Sequence, residues 1–262
     1  MTNGLRILLS TVICYLTAPT AAGELPESLL PSWQTLVYEQ RTFWATARSR
    51  IVLDTCESPT DWCADIESEV SDNREKISLR TDAFAGLLSR ERYSQGRDRR
   101  KKSWSYTNRV VRRLRLEPTE AADWQQTSDR LVRYPENVSR VTDAYLLLAL
   151  ATAHSAQEFV VHTDLNFYRV ALQPAGEDLI KAADTLALPG GTHREVDLVS
   201  VVASPVGEPL DKADFSLLGL SGELLIALDR ETALPLQLRG RAPRLGQVEI
   251  NLTNVTLRSP SQ

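Results

Sequence analysis

The chain has 262 residues, with 30 Lys+Arg against 34 Asp+Glu and a formal net charge of −4. Hydrophobic residues make up 42% and charged residues 24%, a balance that excludes a disordered tail, a collagen-like fibre and a polytopic membrane protein. Three Cys, three His and one Met leave few routes to metal or redox chemistry.

Residues 1–22 read as a secretory signal peptide. Met1–Arg6 is a weakly positive start, Ile7–Leu16 is apolar, and Ala18-Pro-Thr-Ala-Ala22 supplies the small residues, with cleavage expected after Ala22. The apolar run is far shorter than the ~20 residues that cross a bilayer, so no transmembrane segment is expected in the mature protein. Ile13 before Cys14 argues against lipidation. The expected location is the periplasm, and loss of Arg6 leaves a mature charge of −5.

Residues 23–41, with Pro26, Pro31 and Trp33-Gln-Thr-Leu-Val-Tyr-Glu-Gln40, are read as an N-terminal extension carrying a short helix. A single β-barrel-like domain is expected over 42–258, with 259–262 as a tail. Thr42–Leu53 is rich in β-branched and aromatic residues and runs into Cys56 and Cys63. In an oxidising compartment these two are expected to pair across a hairpin tip, a staple of roughly 2–3 kcal/mol in the chain-entropy model. Their spacing does not suit a Cys-x-x-Cys redox pair, and the sequence nearby offers no ligands to complete a zinc site.

Ala64, Ile66, Ser68 and Val70 alternate with Asp65, Glu67 and Glu69, as in a strand half in a core. Lys76–Arg92 and Ser103–Leu116 are also strand-like. In the second, Trp104, Tyr106, Val110, Leu114 and Leu116 share one parity and Arg109, Arg113 and Arg115 the other, predicting a core face backed by an arginine ladder. Residues 117–138 read as a long connection. Ser139–His154 is Leu/Ala-rich and predicts a well-buried helix with Ser139 or Thr142 as N-cap. Strands are expected again at Glu158–Thr163, Phe167–Gln173, Asp178–Leu186, Arg194–Ala203, Gly222–Asp229, Leu234–Arg241 and Gln247–Leu257. The parity switch at Val255 predicts a bulge near Asn254. The fold class is therefore mainly β: a strongly curved antiparallel sheet forming an incomplete or closed barrel, with one buried helix and a short N-terminal helix.

The second half also carries a resemblance. Asp143-Ala-Tyr-Leu-Leu-Leu, Phe159 with Tyr168-Arg-Val-Ala-Leu, and Ala233-Leu-Pro-Leu-Gln-Leu-Arg-Gly240 followed by Leu245-Gly-Gln-Val-Glu-Ile-Asn-Leu252 are similar to a family of uncharacterised bacterial periplasmic domains. That family resembles the LolA/LolB lipoprotein-carrier fold, an incomplete barrel closed by a helix. The resemblance covers roughly residues 140–258. It implies an apolar interior and carriage or sensing of a greasy ligand, and it transfers no catalytic residues.

Charge is unevenly placed. Between Arg90 and Arg115 stand eleven cations and two acids, Glu91 and Asp98, a net of +9 that leaves −14 for the rest of the mature chain. Arg97–Lys102 is expected as an exposed hairpin loop. Arg99, Arg100, Lys101, Lys102, Arg109, Arg113 and Arg115 are the candidate ligand-binding residues, because arginine forks match phosphate and carboxylate. The partners they suit are an anionic lipid, lipopolysaccharide, an acidic glycan or an envelope protein, with peripheral membrane contact. Export argues against nucleic acid. The competing expectation is internal: the basic tract answers the acidic remainder through cross-strand ion pairs.

His154, His162 and His193 show no metal-ligand spacing, and no metal or cofactor is expected. Gly219-Leu-Ser-Gly222 and Pro189-Gly-Gly-Thr-His193 read as turns rather than a nucleophile elbow or a phosphate loop. The leading expectation is a non-catalytic periplasmic barrel that binds an amphipathic, anionic ligand. Its alternatives are an envelope scaffold or protein-interaction module, and a hydrolase using paired carboxylates.

Overall fold

In the computed structural model the described residues are 30–41, 46–96, 99–121, 123–153, 156–211, 214–243 and 245–258. The expected signal peptide, residues 23–29, Arg97, His154 and the 259–262 tail lie outside them. Two meanders make one antiparallel sheet. The first runs through β1 (Trp33–Arg41), β2 (Thr46–Thr55), β3 (Trp62–Val70), β4 (Asn73–Thr81), β5 (Leu87–Gln95), β6 (Arg100–Thr107), β7 (Val110–Pro118) and β8 (Trp124–Arg133). The second runs through β9 (Gln157–His162), β10 (Phe167–Lys181), β11 (His193–Pro205), β12 (Ser221–Asp229), β13 (Pro235–Ala242) and β14 (Gly246–Leu257). β14 pairs with β1, so the first and last strands meet in mid-sheet and the edges are β8 and β9. The sheet is not closed, and the two edges are joined by the connection that carries the helix.

Period-two patterning accounts for most strands. In β3, Trp62, Ala64 and Ile66 are buried while Asp65 and Glu67 are exposed. Ile77 and Leu79 continue that face on β4. The predicted bulge is present: Val37 pairs with Asn254 and Tyr38 with Leu252, leaving Thr253 extra. Its hydroxyl donates to the Val37 carbonyl at 3.2 Å. Cys56 and Cys63 form a disulfide with a Cα–Cα distance of 5.1 Å, at the β2–β3 tip.

Several expectations are corrected. The helix on Trp33–Gln40 is instead strand β1. A short apolar run cannot be told from a buried strand by period alone, and Trp33, Thr35, Val37 and Tyr38 favour a pleated chain. Its backbone is bonded on both sides, to β2 and β14. The Ser139–His154 helix is shorter. A 3-10 turn at Ala144–Leu146 leads into α1 (Leu147–Leu150), and a second turn follows at Ala151–Ala153. Neither Ser139 nor Thr142 caps it. Thr142 is held extended, because its N–H donates to the Val160 carbonyl and its carbonyl accepts from His162 N–H. Asp143 caps instead, its Oδ1 accepting from Tyr145 N at 3.0 Å. The expected connection 117–138 contains β8, which has almost no buried side chain to signal it. Lys76–Arg92 and Ser103–Leu116 are each a hairpin. Phe167–Gln173 and Asp178–Leu186 belong largely to the single strand β10, kinked where Gly176 adopts φ +111°.

Apolar side chains of both meanders share one core. Trp33, Tyr38, Trp62 and Trp104 from the first meander, and Val170, Leu172, Ile226 and Leu236 from the second, belong to one buried apolar cluster. Leu146, Leu147, Leu148 and Leu150 join it from the helical segment and are buried all round, as the sequence predicts.

Candidate functional site

The seam between the two meanders holds a buried polar cluster. It forms on β5–β7, where the hairpin turn sets which side chains face in. Asn108 and Arg109 both have positive φ, 51° and 60°, and Thr107 pairs with Val110, the geometry of a two-residue type I′ turn. Such a turn places residue 104 opposite 113 and 106 opposite 111. Inward parity is therefore even on β6 and odd on β7. Lys102, Trp104, Tyr106, Val111 and Arg113 all face the interior and are buried. This corrects the single parity expected across 103–116: Arg113 stands with Trp104, not on an outward ladder, and Leu114 lies on the outer side.

Across the seam stands the β9–β10 turn. Arg113 makes a two-pronged contact with Asp164, Nε to Oδ1 at 2.7 Å and Nη2 to Oδ2 at 3.1 Å. Lys102 Nζ donates to the same carboxylate, and Trp104 Nε1 donates to the Asp164 carbonyl at 2.9 Å. Arg90 lies over the Trp104 ring, 4.8 Å from its centroid. It donates to the Thr163 carbonyl at 3.2 Å and pairs with Asp143 at 3.2 Å. Tyr106 Oη and His162 Nδ1 are 2.9 Å apart, and His162 packs against Phe167.

Two opposing effects set the charges here. Burial works against the Asp164 carboxylate, yet hydrogen bonds from Arg113 and Lys102 hold its pKa below the ordinary value. Burial also lowers Lys102, and Arg113 and Arg92 reinforce that shift against the pull of Asp164. Burial is likewise the largest influence on the Arg90 cation and works against it, but Asp143, Tyr106, Tyr145 and Asp164 together outweigh it and the net shift is upward. Burial, with Arg90 adding to it, depresses His162 to about 3, so its imidazole is neutral. The cluster is thus an ionic latch in which three cations meet two carboxylates and neighbouring carbonyls.

The sequence-predicted binding residues divide. Lys102 and Arg113 are inside the latch. Arg115 pairs with Glu117, and Arg109 donates to the Pro135 carbonyl at 3.1 Å. Arg100 begins β6, half-buried. Only part of the expected loop is a loop: Arg99 is exposed there, and its guanidinium lies 5.1 Å from the Trp124 ring centroid. Lys101 is exposed on the outer face, 4.2 Å from the same ring, and Tyr93 meets Trp124 edge-on. Sequence reasoning missed Arg130 and Arg133, both exposed on β8 and without an ion pair among the described residues. It also missed Asp143 and Asp164 as the acids that neutralise the basic tract. The hairpin register, with the turn placed at Asn108-Arg109, signals only that Lys102 and Arg113 face inward and need buried counter-charges.

One concavity of 300 Å³ reaches the buried Ala151 and Leu172 between the helical segment and β10–β11, and others lie on the exterior. One of 530 Å³ crosses the outer face of β2–β5, where Arg48, Arg50, Arg74 and Lys76 alternate with Glu67 and Glu69. Another of 310 Å³ separates the end of β8 from the 205–210 loop. Among the described residues no group of His, Cys, Asp and Glu is arranged to hold a metal ion, and no helix is long and apolar enough to cross a membrane.

No protein-family model and no curated protein matches the chain. Its fold is similar to the crystal structure of a β-barrel-like protein of the domain of unknown function DUF1849 from Brucella abortus. The TM-score is 0.53 at 8% identity, over 89% of this chain and all of that one. The likeness is one of fold.

Proposed function

We propose that this is a periplasmic interaction module that holds an anionic protein partner of the envelope along β6–β8, at the exposed β8 edge of the sheet. The observation that carries the reading is the set of exposed cations at the start of β6 and on β8. It is supported by the buried apolar cluster, to which Leu146–Leu150 and four tryptophan or tyrosine side chains belong, where a carrier of an acyl chain would need an apolar cavity. Arg99 and Lys101 of the basic tract, together with Arg130 and Arg133 of β8, face solvent, while the remaining described cations of the tract are largely taken by internal acids and carbonyls. Localisation rests on the signal-peptide layout of residues 1–22.

The test pairs two measurements on protein purified from the periplasm. Native mass spectrometry is expected to show the bare polypeptide mass. Pull-down from membrane extracts is expected to retain protein partners that are released by salt and lost when Arg99, Lys101, Arg130 and Arg133 are all changed to Glu. A stoichiometric co-purifying lipid would return the carrier reading. Partners indifferent to the charge reversal would remove this one.

A further inference from the structure

We infer that the outer edge of β8 accepts an added strand: an extended acidic segment of the partner pairs its backbone along β8. This rests on the reading above, that the partner is an anionic protein, and specifies how it is engaged.

The two edges of the sheet are treated differently. The β9 edge is covered at its C-terminal end, where Thr142 bonds to Val160 and His162 in a parallel bridge. β8 pairs with β7 from Arg133 back to Trp124, and among the described residues its other side has no backbone partner. Along this ten-residue strand the outward-pointing donors and acceptors, carried by alternate residues, form a template for another strand. Proline and lysine, common guards of such edges, are absent from β8.

Charge selects the occupant. Of the three charges on β8, Asp129 is taken by Arg112, with Nη2 to Oδ2 at 2.7 Å. Arg130 and Arg133 are left without ion pairs. A second copy of β8 would bring four unneutralised guanidiniums together, whereas an acidic strand would neutralise two. Arg130 shares a face with Arg113, and Arg133 shares the opposite face with Val110. Acids three positions apart on an added strand would therefore meet both. Beside the strand, Leu131 is 70% exposed. The 310 Å³ groove there is walled by Leu131, Val132, Phe167, Val206 and Leu210, which suits aliphatic side chains between the acids.

The probe is a fluorescent octapeptide with a Glu-Val-Val-Glu core, followed by anisotropy against the full protein. Its Lys-Val-Val-Lys counterpart is expected to bind at least tenfold more weakly. Two further versions carry backbone N-methyl groups on alternate residues, one on each register. Strand addition uses one register of amides, so one version should lose at least tenfold while the other keeps its affinity. R130E/R133E should lose at least tenfold with an unchanged thermal melt, and peptide should slow amide exchange along β8. If both N-methyl versions bind like the parent while R130E/R133E still matters, strand addition is wrong and the anionic-partner reading stands. Failure of the Glu peptide to bind, or β8-mediated dimerisation of the protein, also overturns strand addition; the pull-down then decides the parent reading separately.

Discussion

His162 is held neutral in the interior by burial and by the nearby Arg90 charge, its pKa depressed to about 3 from an ordinary 6.5. In the unfolded chain it takes a proton near pH 6.5, and in the folded chain it does not. Stability from this residue is thus complete above pH 6.5 and falls as the pH drops, by about 2–3 kcal/mol between 6.5 and 4.5. Urea midpoints across that window should decline in the wild type and flatten in His162→Gln, which keeps a polar partner for Tyr106 but cannot titrate. Below that range Asp164 and Asp229, both held down by arginine hydrogen bonds against the cost of burial, add their own acid lability. Asp164 matters at every pH because two buried cations share it. Asp164→Asn should cost about 3–5 kcal/mol in urea denaturation, since Lys102 and Arg113 lose their counter-charge. Adding Lys102→Met should restore roughly 1–2 kcal/mol by removing one stranded charge. A double variant no more stable than the single would mean that Lys102 does not depend on Asp164.

Hairpin turns decide which residues of a strand face the core, and they mark where this sequence stops being legible. Trp104 and Tyr106 are identifiable as core from their types, and the Cys56–Cys63 staple and the Thr253 bulge from spacing and parity. The fate of Arg113 depends on a turn at Asn108-Arg109, a pair with only half of the Asn-Gly signal that marks type I′ turns. Without that glycine the hairpin reads as one strand and every arginine after it lands on the wrong face. β8 was hidden for another reason, because its stability comes from the ladder with β7 rather than from buried side chains. β1 was hidden because it is buried too thoroughly to alternate. Two predictions follow from the hairpins. Arg109→Gly removes a left-handed non-glycine residue and should raise stability by about 0.5–1 kcal/mol despite losing the contact with Pro135, seen as a higher thermal midpoint. A drop would mean that the Pro135 contact outweighs the backbone strain. Replacing Cys56 and Cys63 together by Ala should cost roughly 2–3 kcal/mol, with the loss visible in urea midpoints and absent when wild type and variant are compared under reduction.

The two meanders of the whole molecule meet twice. They meet by a backbone ladder at β1–β14, where Arg258 N–H still donates to the Ser32 carbonyl at 2.8 Å. They meet again at the open seam, through Asp164, Asp143 and their cations. The first junction is a run of backbone bonds inside the sheet, protected on both sides by neighbouring strands. The second depends on a few charged side chains, and loss of a single carboxylate disables much of it. Local opening should therefore begin at the seam and leave the mid-sheet intact. Native-state amide exchange is the measurement. The slowest amides are expected in β1, β2, β13 and β14, and the fastest strand amides on the uncovered side of β8. Asp164→Asn should accelerate exchange in β6–β7 and in β9–β10 together, because the same latch holds both, while β1 and β14 keep their protection at low denaturant. If β1 and β14 accelerate equally, the variant acts only through global unfolding, and the seam is no separate cooperative unit. If β6–β7 responds without β9–β10, the latch stabilises its own hairpin but does not join the halves of the sheet.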